Sequence, residues 1–392
     1  MKKIKFAPWP YFDAEIVEAV KAVLVSGKVN QWAGRQVYAF EQEYARYLGV
    51  SHAIAMANGS VTLDVALKVL GVGPGDEVVV SSRSFVASAS CAAVTGALPV
   101  FADVDPLSGT VTAATIAAAL TRKTKAVIVV HLAGWPCEMD AIVRLCRAHK
   151  LFLIEDCAQA HGAFYQGKPV GTFGDFASFS FCQDKIFTTC GEGGLLVTND
   201  QRLWKKAWSF KDHGRDFASV HKQHGGTQFT WTVNSFGTNY RMSELQAAVG
   251  RIMLRRLDDM VTRRRRYADM YDEAFATIPG LLVTRPPDDC YHAYYKYYVQ
   301  VEPRQLRDGL SRDGVLRKLA AGGIVCGCGA CPEIYREKAF VRQRRSLGYP
   351  AQRRLPQARR LGERSIMLQV HPTLSEASIR AVIARMKRIC GN

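Results

Sequence analysis

Through the first half of the sequence, short apolar runs alternate with segments whose apolar residues recur at helical spacing. The runs at 53–57, 77–81, 98–101, 126–130, 151–156 and 195–198 predict strands. Segments 14–25, 36–48, 60–70, 84–94, 113–120 and 139–148 predict helices, and Gly73-Pro-Gly75 ends the third of them. Strands that are apolar throughout, rather than at alternate residues, belong in a parallel sheet with both faces covered. The fold class is therefore α/β. From about Ser243 the pattern turns helical and arginine-rich into the 270s, and residues 291–301 then alternate as a strand would. This shift predicts a large domain over residues 1–260 with a mostly parallel central sheet, and a smaller C-terminal α+β domain over 261–392.

A hydrophobic content of 48% against 22% charged residues describes a folded globular chain rather than a disordered one. No apolar run is long enough to cross a bilayer. The first ten residues break on Pro8 and Pro10 instead of forming a leader. The expectation is a soluble, cytoplasmic protein with no membrane partner. The formal charge of +17, from 52 Lys and Arg against 35 Asp and Glu, attracts anions. No nucleic-acid-binding motif accompanies it, so no nucleic-acid partner is expected. Arg263-Arg-Arg-Arg266 wraps around a helix instead of forming one face, and reads as solvated surface. The 11 cysteines follow no disulfide framework and read mostly as small buried hydrophobes. Cys326-Gly-Cys328-Gly-Ala-Cys331 lacks a nearby fourth ligand for zinc, so a turn of small residues is expected there and no metal.

In a parallel α/β sheet, ligands bind beyond the carboxyl ends of the strands. Asn58-Gly59-Ser60 is a strand-to-helix turn that offers either free N–H groups to an anion or a plain cap at Ser60. Glu155-Asp156-Cys-Ala-Gln159-Ala-His161 puts a carboxylate at the end of a buried strand. It needs a cationic partner, an internal ion pair or a helix to cap. Lys185 follows the apolar run from Ser178 through Ser180 and precedes the turn Gly191-Glu-Gly-Gly194. A desolvated lysine has a lowered pKa and can form a Schiff base with an aldehyde, whereas a solvated one is an ordinary surface charge. Anion cradle, carboxylate and amine together are the groups that hold pyridoxal phosphate by its phosphate, ring nitrogen and aldehyde carbon.

These segments occur in order with Asp103-Val-Asp105, His131-Leu-Ala-Gly134 and Gly237-Thr-Asn-Tyr-Arg-Met242. Over almost its whole length the chain resembles the DegT/DnrJ/EryC1/StrS family of sugar aminotransferases, fold-type I enzymes that use pyridoxal 5'-phosphate. The resemblance implies that Lys185 carries the cofactor and later moves the proton. Asp156 would pair with the ring nitrogen, and Gln159 would lie by the ring hydroxyl. Gly59, Ser60 and Ser180 would bind the phosphate. Phe85 would stack on the ring unless it is a core phenylalanine. Asn239 would reach the phosphate of the neighbouring subunit's cofactor, which implies a homodimer with shared active sites. His161 and His371 are expected near the substrate.

The implied reaction moves an amino group from L-glutamate to a nucleotide-linked keto-sugar. It would serve amino-sugar, surface-polysaccharide (lipopolysaccharide, O-antigen) or natural-product biosynthesis. The alternatives are a keto-cyclitol aminotransferase, a sugar dehydratase using the same cofactor, and a non-enzymatic cofactor-bound regulator. Dehydratases of this type replace the lysine by histidine, so Lys185 disfavours that reaction. Cys190 stands where many relatives have a small residue such as glycine. Cys326–Cys331 and His371-Pro-Thr-Leu374 also differ from the commoner family sequences.

Overall fold

The computed structural model describes residues 6–221, 233–306 and 309–391. Helices α1 (Ala14–Val25) and α2 (Gln36–Leu48) lead into β1 (His52–Met56), followed by α3 (Gly59–Val69) and β2 (Glu77–Ser81). Next come α4 (Ala87–Val94), β3 (Leu98–Ala102), α5 (Ala113–Ala117), β4 (Thr124–Val130), α6 (Met139–Ala148) and β5 (Phe152–Asp156). Two short strands, β6 (Phe164–Tyr165) and β7 (Lys168–Pro169), precede β8 (Phe176–Ser180) and β9 (Gly194–Thr198). After α7 (Gln201–Lys211) and α8 (Phe217–His221) come α9 (Glu244–Arg255) and α10 (Leu257–Phe275).

One seven-stranded sheet has the order β1-β9-β8-β5-β4-β2-β3. Every neighbouring pair from β8 to β3 is parallel. β9 runs against both β8 and β1, so β1 points the same way as β8. The expected α/β class and mostly parallel sheet are what the structure has. β2, β8 and β9 are buried at every residue because helices cover both faces. On β1, Ala53 and Ala55 pack with Val37 and Phe40 of α2 and Val249 of α9, while Ile54 and Met56 pack with Leu63 and Leu67 of α3.

The remaining elements are β10 (Leu281–Leu282), β11 (Cys290–Tyr291), β12 (Tyr297–Val301), α11 (Arg312–Ala321), β13 (Cys326–Gly327), α12 (Lys338–Ser346), α13 (Pro356–Arg364), β14 (Ser365–Leu368) and α14 (Glu376–Cys390). Strands β10-β12-β14-β13 form an antiparallel sheet whose core is shared with α10, α11 and α14. Asp103, just past β3, joins the two bodies. Its carboxylate accepts from Gln357 N (3.0 Å) and Ala358 N (2.9 Å) at the start of α13.

Several sequence expectations are corrected by particular hydrogen bonds. The helix expected to run from Ser243 into the 270s is two helices, broken at Arg256 (φ −98°, ψ 0°). Residue 260 lies within α10, whose Leu257, Met260 and Val261 pack in the core under the large sheet while Tyr267, Ala268 and Tyr271 pack with the antiparallel sheet. The alternating run 291–301 is not one strand. Ala293 N and Tyr295 N donate to the carbonyls of Gly134 (3.0 Å) and Ala133 (2.7 Å), and Tyr294 turns to a φ of 45°. Arg263–Arg266 is not uniformly solvated either. Arg264 is buried and donates to the carbonyl of Tyr295 at 3.1 Å. Cys326–Cys331 is a short strand followed by a segment that reaches the loop after β2, where Cys331 O accepts from Ser84 N at 3.2 Å.

Candidate active site

Because β1, β5 and β8 point the same way, they end at one edge, at Met56, Asp156 and Ser180. β9 starts there, with Gly194 paired to both Met56 and Ser180. A cavity of about 960 Å³ lies where this edge faces the antiparallel sheet. Gly59, Ser60, Phe85, Asp156, Gln159, Ser180 and Lys185 all line it.

At the first corner, Asn58 caps α3, its Oδ1 accepting from Ser60 N and Val61 N at 3.1 Å each. The cap is Asn58 and not Ser60, which sits exposed inside the first turn. The turn is fastened to β8 underneath, where Thr62 Oγ1 donates to Gly59 O at 2.7 Å and lies 2.5 Å from Ser178 Oγ. Gly59 lies so close to β8 that a Cβ there would stand 2.6 Å from Ser180 Cβ and 3.1 Å from Ser180 Cα. Gly59→Ala must therefore push the helix start away from the strand. We expect a loss of about 1–3 kcal/mol of stability, measured by denaturant unfolding against wild type. Unchanged stability would mean that the turn has slack to accommodate the methyl group.

At the second corner, Asp156 is buried. Oδ2 accepts from Ser88 Oγ at 2.6 Å and Oδ1 from Ala158 N at 3.1 Å. Both donors are neutral. Burial pushes the carboxyl pKa up, against the pull of these hydrogen bonds and of the Lys185 charge. Its neighbour Glu155 is satisfied differently, by backbone N–H groups of Gly171 (2.7 Å), Phe173 (2.7 Å) and Gly174 (2.8 Å) and by His131 Nε2 (3.1 Å). His131 Nδ1 accepts from Cys137 N at 3.0 Å. His131, Glu155 and Cys157 cluster as metal ligands would. The histidine and the carboxylate already spend their lone pairs inside the fold, and the group reads as a structural brace.

The third corner is the loop after β8. Lys185 is half-buried, and its ammonium lies 5.0 Å from the centre of the Tyr295 ring. Its main chain is held on both sides. Lys185 N donates to Cys182 O and Lys185 O accepts from Trp9 Nε1, each at 3.0 Å. Further along the loop, Cys190 adopts a φ of 64°, a left-handed conformation that glycine takes without strain. This gives a physical reason for a small residue at the position.

Gln159 Oε1 accepts from Ala133 N at 2.8 Å, leaving its NH2 as the donor available to a ligand. Phe85 is 62% exposed and lines the cavity, which removes the core-phenylalanine reading.

Both histidines lie elsewhere, and Asn239, expected at the neighbouring subunit's site, is outside this cavity as well. His161 is fully buried between Tyr44 Oη (2.7 Å from Nδ1) and Ser180 O (2.8 Å from Nε2), and stacks on Phe181. Burial, with the charges of Lys185 and Arg264, lowers its pKa to about 3. It braces the end of β8 from behind and cannot meet a substrate. His371 is likewise buried, stacked on Trp9 with Nδ1 2.9 Å from Thr373 Oγ1, and does not line the cavity. Asn239 is exposed outside the cavity, where its Oδ1 accepts from Arg241 N at 3.3 Å.

The structure adds cavity residues that sequence reasoning missed, chiefly Asp184, Tyr295, Lys296 and Gln369. Tyr295 Oη donates to Asp184. The only sequence signal for Tyr295 and Lys296 was their place in the run 291–301, which reads as strand.

This set of groups fits pyridoxal phosphate. The α3 start and Ser180 face the cavity side by side, packed so closely that only glycine fits at position 59, the buried carboxylate has only neutral donors, and an amine lines the same cavity. Comparison with known proteins agrees. A model of the DegT/DnrJ/EryC1/StrS aminotransferase family matches residues 10–387. The chain is 41% identical over 295 residues to GDP-perosamine synthase of Caulobacter vibrioides, covering 74% of this chain and 75% of that protein. It is 33% identical over 378 residues to dTDP-4-dehydro-2,3,6-trideoxy-D-glucose 4-aminotransferase of Saccharopolyspora spinosa, covering 95% and 93%. The crystal structure of an aminotransferase from Psychrobacter cryohalolentis superposes with a TM-score of 0.94 at 45% identity, covering 98% of each chain.

Proposed function

The chain belongs to the DegT/DnrJ/EryC1/StrS aminotransferase family, whose members depend on pyridoxal phosphate, and from that premise we propose that it transfers an amino group from L-glutamate to the keto group of a nucleotide-linked sugar. The observation that carries this reading is the convergence of Lys185, Asp156 and the α3 start on one cavity. The names of the relatives support the sugar class, since one is an aminotransferase of a dTDP-linked 4-dehydro sugar.

When bound, the cofactor supplies the electron sink that stabilises a carbanion at the reacting carbon. Lys185 Nζ takes the proton from the donor's α-carbon and delivers one to the former keto carbon of the acceptor. Asp156 keeps the ring nitrogen protonated, and the Gln159 amide donates to the ring hydroxyl. The Gly59 N–H and the hydroxyls of Ser60 and Ser180 hold the phosphate, with the positive end of α3 behind them. Phe85 covers a ring face.

The assembly in this reading is a homodimer, with Asn239 reaching the partner's cofactor phosphate. Exposed Phe236 (97%) and Val233 (57%) beside Asn239 give a second copy something to cover. No helix among the described residues is long and apolar enough to cross a membrane, which accords with a cytoplasmic enzyme.

The test is to add L-glutamate to the yellow holoenzyme and then to screen nucleotide-linked 3-keto and 4-keto sugars by mass spectrometry. We expect the cofactor band to be lost with glutamate and one keto-sugar to be converted to its amino sugar, the carbonyl oxygen exchanged for an NH2 group and a hydrogen. A cofactor band indifferent to glutamate, with no aminated sugar, would overturn the reading.

A further inference from the structure

We propose that Lys296 and Gln369 form a carboxylate-binding subsite at the reacting end of the cavity, beside Lys185. The proposal rests on the transamination reading and names a substrate group that this reading leaves open.

Lys296 directly precedes β12 and Gln369 directly follows β14. The pairing of Tyr297 with Leu368 places the two residues side by side on the cavity wall. Lys296 Nζ donates to Gln369 Oε1 at 3.0 Å and lies 4.7 Å from the centre of the Tyr295 ring. Lys185 Nζ lies 5.0 Å from the centre of the same ring. Both ammonium groups therefore border one tyrosine ring in the same cavity as the atom at which chemistry is expected.

The ammonium is poorly compensated in the free protein. Its side chain is only 14% exposed, and its nearest carboxylate, Asp184 Oδ2, is 4.0 Å away. That carboxylate is itself more than half exposed and takes the Tyr295 hydroxyl. Burial, with the charges of Arg264 and Lys185, lowers the Lys296 pKa to about 8 despite Asp184. Gln369 is similarly under-used, its Nε2 donating to the Met367 thioether at 3.8 Å. A carboxylate can take one oxygen to each side chain, replacing a neutral amide and a weak sulfur acceptor with a charge-assisted pair. The cofactor does not require this site, because its phosphate, ring nitrogen and aldehyde carbon are matched by α3, Asp156 and Lys185. Two substrate groups share this chemistry: the α-carboxylate of the amino donor, and a carboxylate borne by the acceptor sugar.

The experiment uses the holoenzyme and follows half-conversion of the cofactor absorbance in wild type, Lys296→Met and Lys296→Arg. The donor arm compares L-glutamate with isoglutamine, its α-carboxamide. The acceptor arm compares a nucleotide-linked keto-hexuronic acid with the corresponding keto-hexose. In Lys296→Met the half-saturating concentration should rise by about tenfold or more for the carboxylate probe of one arm, with the uncharged counterpart within about twofold. Lys296→Arg should restore most of the loss, which also controls for folding. Loss confined to glutamate identifies the donor carboxylate, and loss confined to the hexuronic acid identifies the acceptor. Equal effects on charged and uncharged probes, or no effect on either, would overturn the subsite while leaving transamination standing. Silence of the wild type toward every donor would instead remove the transamination reading, and the subsite with it.

Discussion

Lys185→Ala is expected to reduce turnover by at least about 10²–10⁴-fold, the usual contribution of a positioned proton-transfer group, and to leave the protein folded. The second half of this expectation follows from how the loop is held. The loop is fastened through main-chain atoms, with Cys182 O and Trp9 Nε1 on Lys185 itself and Arg264 Nη2 3.5 Å from Ile186 O. None of these contacts uses the lysine side chain. Its ammonium meets the Tyr295 ring across the cavity and no core packing depends on it. Alanine thus deletes the amine without moving the loop that carries it. Turnover, colour of the purified protein and thermal melting measured together check the claim. An alanine variant that transaminates at the wild-type rate would remove Lys185 from the mechanism. A variant that is inactive but also unfolded would show that the loop needs the side chain after all.

The corners of the cavity were legible because each is written locally. A continuous apolar run predicts a strand buried on both faces, and a capping residue or a glycine-rich turn after it marks the ligand-facing end. Asn58-Gly59-Ser60, Asp156 and the Lys185 loop all follow that rule. The opposite wall was not legible, because long-range hydrogen bonds define it. The Ala133–Gly134 carbonyls take the N–H groups of Tyr295 and Ala293, which ends strand pairing and turns Tyr295 and Lys296 toward the cavity. No periodicity within 291–301 encodes those partners. The histidines failed for a related reason. His161 sits in a catalytic-looking segment, yet Tyr44 and Ser180 satisfy both its nitrogens from the core side. Arg264 misled in the other direction. A run of four arginines reads as surface, but carbonyl oxygens and the Trp9 ring (5.4 Å) receive one of them inside.

Asp156→Asn should separate chemistry from stability. The substitution keeps the shape of the side chain, and its amide oxygen can still accept from Ala158 N, where the carboxylate does so at 3.1 Å. Ser88 can redirect its hydroxyl to Ser84 Oγ, 2.9 Å away. What is lost is the negative charge opposite the ring nitrogen. Turnover is expected to fall by roughly 10²–10³-fold, comparable to removing one preorganised electrostatic partner. Stability of the cofactor-free protein should move the other way. Burial raises the folded-state pKa of Asp156 above its unfolded value, so ionisation costs the folded state more than the unfolded one. That penalty is absent below the unfolded pKa, sets in as pH rises, and is complete above the folded pKa. The uncharged amide escapes it. Above that range, cofactor-free Asp156→Asn should therefore melt no lower than cofactor-free wild type, while the gain in melting temperature on adding pyridoxal phosphate should shrink. Full activity in the variant would mean that the ring nitrogen has another partner. A cofactor-free variant that melts well below wild type would mean that the carboxylate is a structural group, held for its bonds to Ser88 and Ala158 rather than for a ligand.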